Sequence, residues 1–158
     1  PNSKLILKSS TACDNDSLLN KFKKFKVDHK IEILRQLDFI KKEDHLKVYN
    51  RIDLCLDTFP YNGVTTTFES LWMNVPALVL KGYNFNSRCG ESIMKNAKCD
   101  YFIAKNKTEY VEKALYLSQN KEKLINYREK IFQTILSSSL FDTKKFTQNF
   151  QNLLLNLL

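Results

Sequence analysis

The sequence predicts an α/β fold: a Rossmann-like parallel sheet covered on both faces by helices. Three observations carry this. Short runs that are apolar at successive positions alternate with stretches of helical length, the pattern of strands buried on both faces. Glycine and proline are scarce, at 3 residues each in 158, so most of the chain is regular structure. The apolar share of 43% is that of a globular chain, and the length suits one domain with a real core.

The elements follow in order. Leu5-Ile6-Leu7 is a short apolar run between polar residues and predicts a first strand. Asn15 and Asp16 offer N-caps for a helix to about Phe25. Ile31 to Leu34 reads as a second strand, Glu43 to Asn50 as a short helix, and Leu54-Cys55-Leu56 as a third strand. A helix from Thr66 to Met73 leads to a fourth strand, Ala77 to Leu80. Ser87 to Lys95 is helical, Tyr101 to Ile103 a fifth strand, and Thr108 to Leu117 helical again. Beyond Asn120 the alternation stops, and Lys121 to Leu136 and Thr143 to Leu158 read as two long helices. Apolar stripes at Leu124, Tyr127, Ile131 and Ile135, and at Phe146, Phe150, Leu153, Leu154 and Leu157, face either a core or a docked partner. The expected organisation is a nucleotide-binding lobe over 1–120 with the helices of 121–158 packing on it.

Composition narrows the function. The net charge of +8 (25 basic against 17 acidic residues) suits phosphate-bearing ligands or a solvated lysine surface. No arginine-rich stripe interleaved with aromatics supports nucleic-acid binding. Cys13, Cys55, Cys89 and Cys99 form no C-x-x-C pair, and His29 and His45 complete no zinc set, so no metal is expected. Reduced thiols point to the cytoplasm. No apolar run approaches 18 residues, so no membrane span is expected. The chain opens almost directly on a strand-like run without Met, which reads as a piece of a longer protein.

In an open parallel sheet, ligands sit beyond the carboxyl ends of the strands. The third strand leads into Asp57-Thr58-Phe59-Pro60-Tyr61-Asn62-Gly63-Val64-Thr65-Thr66-Thr67. Gly63 permits close approach of a ligand or a positive φ. Thr65, Thr66 and Thr67 then fall on the first turn of a helix, whose unpaired N–H groups and dipole favour an anion. The same residues admit a second reading, a capping box of Thr66 with Glu69. Spacing alone leaves both open.

The run Leu56-Asp57-Thr58-Phe59-Pro60-Tyr61-Asn62-Gly63-x-Thr65-Thr66-Thr67-x-Glu69-Ser70-Leu71-Trp72-Met73-x-Val75-Pro76 resembles the signature of the O-linked N-acetylglucosamine transferase/SPINDLY family. Lys42-Glu43-Asp44-His45, Ser87-Arg88-x-Gly90-x-Ser92, Ile103 to Tyr110 and Ser139 to Asp142 resemble further family segments in the same order. The resemblance implies the C-terminal lobe of a GT-B glycosyltransferase that inverts the anomeric centre and needs no metal or other cofactor. It implies that Gly63, Thr65, Thr66 and Thr67 meet the donor's pyrophosphate and that Glu69 holds the ribose hydroxyls. It places His45 on the base and Lys42 near the ribose and phosphates. The implied partners are a nucleotide sugar, UDP-GlcNAc or GDP-fucose, and an acceptor protein engaged through parts absent from this chain. No catalytic residue is expected here. Val64 departs from the histidine of animal members, which puts the identity of the donor in question, and a degenerate docking lobe is the non-enzymatic alternative.

Overall fold

A computed structural model describes residues 3–9, 15–27, 30–35 and 41–157. Cys13, His29 and the stretch 37–40 lie outside the described residues, as do the chain's two ends. The chain divides into two compact units, residues 1–52 and 53–158.

The first unit is a β-α-β element followed by a short helix. β1 (Leu5–Ser9) and β2 (Ile31–Arg35) pair in parallel, with Leu5 opposite Ile31 and Leu7 opposite Ile33. α1 (Asn15–Lys23) lies between them in sequence, as a parallel pair requires a crossover. α2 (Lys42–Lys47) runs straight into a 3-10 turn, Val48–Arg51, so the single helix expected over 43–50 is two short segments. Glu32 on β2 takes ion pairs from Lys4 and from Arg51, whose Nη2 reaches both carboxylate oxygens at 2.7 Å.

The second unit holds the larger core. β3 (Cys55–Leu56), β4 (Ala77–Leu80) and β5 (Ile103–Ala104) form a parallel sheet in that order, with β4 central. β4 is buried at every position, which explains its unbroken Ala-Leu-Val-Leu run. α3 (Thr65–Trp72) connects β3 to β4, and α4 (Cys89–Asn96) connects β4 to β5. α5 (Lys107–Gln119) is capped by Asn106, whose side chain accepts from the Glu109 N–H at 2.9 Å. α6 (Lys121–Leu136) sends Leu124, Ile131 and Ile135 into a core shared with Leu71, Val79, Met94, Phe102 and Leu117.

One expectation fails here, and one apolar stripe is exposed. Tyr101 to Ile103 is mostly a 3-10 turn, Asp100–Phe102, because its aromatic residues anchor to α6 instead of a neighbouring strand. Tyr101 stacks on Tyr127 at 5.2 Å between ring centroids, and Phe102 meets the same ring edge-on. The last helix, α7 (Thr143–Leu155), buries no residue, and the Phe146, Phe150, Leu153, Leu154 and Leu157 stripe is exposed. Amphipathicity marked its apolar face correctly but not what would cover it. Among the described residues, no helix is long and apolar enough to cross a membrane.

Candidate functional site: a carboxylate-clamped turn at the carboxyl edge of the sheet

The loops after β3 and β4 leave the same edge of the three-stranded sheet. The Asp57 N–H donates to Leu78 O at 2.9 Å, extending the β3–β4 pairing by one residue. Its side chain then turns back into the loop. Oδ1 accepts from the Thr58 N–H at 2.9 Å and the Gly63 N–H at 2.8 Å, closing the six-residue span into a ring. Inside the ring, Thr58 Oγ1 donates to Tyr61 O and Asn62 Nδ2 donates to Thr58 O at 3.0 Å. Asn62 is buried and also ties the turn outward: its Oδ1 accepts from the Gly90 N–H of α4, and its own N–H donates to Asn86 O. From the other side, Tyr110 of α5 donates its hydroxyl to Asp57 O at 3.0 Å.

The second oxygen of Asp57 has no such company. Oδ2 is buried without a hydrogen-bond partner, facing Gly90: a Cβ on that glycine would stand 2.8 Å away from it. Burial pushes the Asp57 carboxyl up to about 6, against the pull of its hydrogen bonds from Gly63 and Thr58. Burial likewise pushes the Tyr110 phenol up to about 12, with the Asp57 charge adding to the effect.

Gly63 carries no positive φ, so conformational freedom is not why it is glycine. Space is the reason. A Cβ there would meet Thr66 Oγ1 at 2.2 Å and Asp57 Oδ1 at 3.3 Å. Its N–H is already taken by Asp57, and its carbonyl accepts from Thr67 Oγ1 at 2.8 Å. Gly63 therefore shapes the turn, and its own N–H is committed to Asp57.

The capping-box reading is overturned. The N-cap of α3 is Val64, with no side-chain cap, and Thr66 is the second helical residue. The Asp57 clamp brings the helix start forward to Thr65, so Thr66 and Glu69 do not occupy the box positions. The three threonines then part company. Thr67 is buried and bonded to Gly63 O, and its N–H closes a tight bond to Val64 O at 3.1 Å. Thr65 and Thr66 are exposed, and Glu69 lies one turn on, at i+4 and i+3 from them, hence on their face of the helix. Thr67, Ser70 and Leu71 form the opposite, buried face. The result is an exposed helix start bearing two hydroxyls, with a carboxylate next to them and the dipole's positive end pointing outward.

A second carboxylate sits beyond the loop after β4. Glu91 of α4 is buried, with its side chain 4% exposed, and meets Lys95 at 2.9 Å, Lys81 at 3.1 Å and Arg88 at 3.1 Å. Burial opposes its charge, but Lys95, Lys81 and Arg88 outweigh burial and hold the carboxyl at about 2. Arg88 is thereby engaged within the lobe. Lys42 and His45 belong to the first unit. Lys42 is the exposed first residue of α2; His45 is half-buried, with Nδ1 2.7 Å from Lys8 Nζ and its ring edge-on to Tyr49. The structure brings Gly63, Thr65, Thr66 and Glu69 together around one turn, sets Thr67 behind them, and holds Lys42 and His45 on one helix of the other unit. Among the described residues no group of three His, Cys, Asp or Glu could hold a metal ion.

Asp57, Asn62 and Tyr110 hold the turn by hydrogen bonds, and the sequence reading gives them no role there. The available signal was an acidic residue ending a buried strand six positions before a glycine; nothing local pointed to Tyr110.

Comparison with known proteins places this architecture. The family model described as Glycosyl transferase family 41 matches residues 1–150. A tomato (Solanum lycopersicum) protein named "Probable UDP-N-acetylglucosamine--peptide N-acetylglucosaminyltransferase SPINDLY" is 34% identical over 97% of this chain, which spans 17% of that protein. A protein of the same name from Petunia hybrida is 38% identical over 69% of this chain and 12% of its own. A solved structure, a mutant O-GlcNAc transferase of Thermobaculum terrenum, superposes with a TM-score of 0.85 at 29% identity, covering 94% of this chain and 29% of that one. The parallel sheets flanked by helices are those of the GT-B catalytic lobe of such transferases, and the chain belongs to glycosyl transferase family 41.

Proposed function

We propose that this chain is the donor-binding part of an inverting glycosyltransferase that moves GlcNAc from UDP-GlcNAc to a Ser or Thr hydroxyl of a protein. One observation carries the reading: the Asp57-clamped turn opens into a helix start that exposes Thr65 and Thr66, with the half-buried Glu69 one turn on. The pyrophosphate lies against that helix start, where exposed hydroxyls and the helix dipole meet its charge. Glu69 accepts hydrogen bonds from the ribose diol. Lys42 and His45 serve the phosphates and the base. Residues 1–120 act as the nucleotide-sugar lobe, and α6 of the following segment contributes to the core of the second unit.

The reaction is a single displacement. The acceptor oxygen forms a bond to the anomeric carbon as the bond to the diphosphate oxygen breaks, and the acceptor proton passes to a base outside this chain. This chain stabilises the departing diphosphate, an electrostatic role in which a single well-placed donor is worth about 2.7–4 kcal/mol. The acceptor side belongs to the rest of a longer protein. The relatives' names, which specify a peptide acceptor and UDP-N-acetylglucosamine, support the choice.

Val64, exposed at the start of α3 where animal relatives carry histidine, favours a second donor, GDP-fucose. Titrating UDP-GlcNAc and GDP-fucose separately into isotope-labelled protein distinguishes the two. Amide shifts at Thr65, Thr66 and Glu69 are expected with one donor at lower concentration than with the other. No shift there with either at millimolar concentration overturns the reading.

A further inference from the structure

Two observations on Asp57 are independent of any ligand. Its Oδ1 holds both ends of the turn, accepting from the Thr58 and Gly63 N–H groups. Its Oδ2 is buried, without a hydrogen-bond partner, against a glycine whose missing side chain makes the room. The carboxylate is thus held by backbone N–H groups on one oxygen and starved on the other. A proton has a natural seat on Oδ2, and its arrival removes the negative charge that makes Oδ1 a strong acceptor.

We propose that Asp57 is a positioning residue for the donor site, a proton-sensitive latch: ionised, it holds the Thr58–Gly63 turn in its donor-binding shape, and protonated, its carboxyl stays in the pocket beside Gly90 and lets the turn's N–H groups go. The inference rests on the donor-binding reading of that turn. Its chemistry is a reversible protonation, with the proton taken from solvent onto Oδ2.

The surroundings leave this charge uncompensated. On β3, the Cys55 thiol is pushed up by burial and stays neutral. From α5, Tyr110 offers its hydroxyl to the backbone carbonyl of Asp57 and not to the carboxylate. α4 presents Gly90 at the carboxylate, while the charge of Glu91 is absorbed by Lys81, Arg88 and Lys95. From α3 come the hydroxyls of Thr66 and Thr67 at Gly63, and the one carboxylate on that helix is Glu69. β4 contributes the apolar Val79. Lys81, just beyond β4, is engaged by Glu91. No cation in this set pairs with Asp57.

The latch sits on the path to α3 through Gly63, whose carbonyl receives Thr67 Oγ1. Releasing the Gly63 N–H therefore loosens the first turn of the helix that presents Thr65 and Thr66. Donor affinity then scales with the ionised fraction of Asp57, as for any site competent in one of two states.

The test uses the whole chain, labelled with 13C and 15N, titrated between pH 7.5 and pH 5. The Asp57 carboxyl carbon and the Thr58 and Gly63 amides should move with one shared midpoint near 6. UDP-GlcNAc and GDP-fucose are suitable probes, because a pyrophosphate diester does not itself titrate across this range. The affinity of whichever binds should fall about tenfold over the interval, tracking the same midpoint. In Asp57→Asn, that part of the fall should vanish, while any acid dependence carried elsewhere persists. Thr58 and Gly63 amides that stay put while the Asp57 carboxyl titrates overturn the proposal. So does an Asp57→Asn affinity profile identical to that of the wild type. If neither donor binds at any pH, the donor reading fails, and the amide titration still decides whether Asp57 latches the turn.

Discussion

Asp57, half-buried, and Glu91, buried, are two carboxylates near the same sheet edge, and the protein treats them in opposite ways. Glu91 is surrounded by Lys81, Arg88 and Lys95 and kept ionised to about pH 2. Asp57 receives two backbone N–H groups on one oxygen, nothing on the other, and is pushed up to about 6. Glu91 fastens the loop after β4 to α4, and its saturation with cations makes it a structural tie. Asp57 shapes the loop that leads to the exposed helix start, and its starvation makes it responsive. Burial alone distinguishes neither; the partners do.

The largest effect should come from emptying the saturated site. Glu91→Ala leaves Lys81, Arg88 and Lys95 crowded without their anion, and should cost about 2–4 kcal/mol, close to the range for breaking a buried pair. Urea unfolding of the variant measures it. Acid should reach this tie late. Its folded pKa is depressed, so its stabilisation is present above the ordinary carboxylate range and is lost only as pH falls toward about 2.

Next comes filling the space that keeps Asp57 starved. Gly90→Ala puts a methyl 2.8 Å from Asp57 Oδ2 and 3.0 Å from Val79. Overpacking of about 1–3 kcal/mol should exceed the gain in helix propensity, and the thermal midpoint should drop.

The starved site should show the opposite pH sign from the saturated one. Asp57 binds a proton more tightly folded than unfolded, so the fold loses stability as pH rises from about 4 to about 6. The full linkage would be about 3 kcal/mol, reduced by partial solvent exposure to about 1–2 kcal/mol. Asp57→Asn should erase that slope in denaturation curves taken across the window. A slope unchanged in the variant would assign it elsewhere.

The smallest expected change tests the support behind the turn. Tyr110→Phe removes the hydroxyl that donates to Asp57 O and should cost about 1 kcal/mol. Donor affinity should weaken more in this variant than in a control at exposed Val111, read by the same titration.

Much of the fold was legible because its signals are local. β4 and α6 coincide with the runs that predict them, since four successive buried apolar residues and a 3.6-residue stripe are short-range patterns. The fifth strand was misplaced because Tyr101 and Phe102 answer to Tyr127, some 25 residues away. The glycine turn and its threonines were also visible, but their division of labour was not. Thr67 turns inward and Thr66 fails as a cap because Asp57 reaches across the loop to Gly63. A capping rule reads spacing within a helix and is blind to a carboxylate reaching in from the preceding strand. The exposed stripe of α7 shows the same limit, since periodicity marks an apolar face without saying what meets it.

Asp57 also carries two clocks. Its own N–H is fixed to Leu78 O in the sheet, whereas the Gly63 N–H hangs on its side chain. In solvent deuterium the first amide should exchange only when β3 parts from β4. The second should exchange each time the carboxylate lets go, which is more often. One residue thus reports, through two neighbouring signals, the rate at which the sheet opens and the rate at which the turn does.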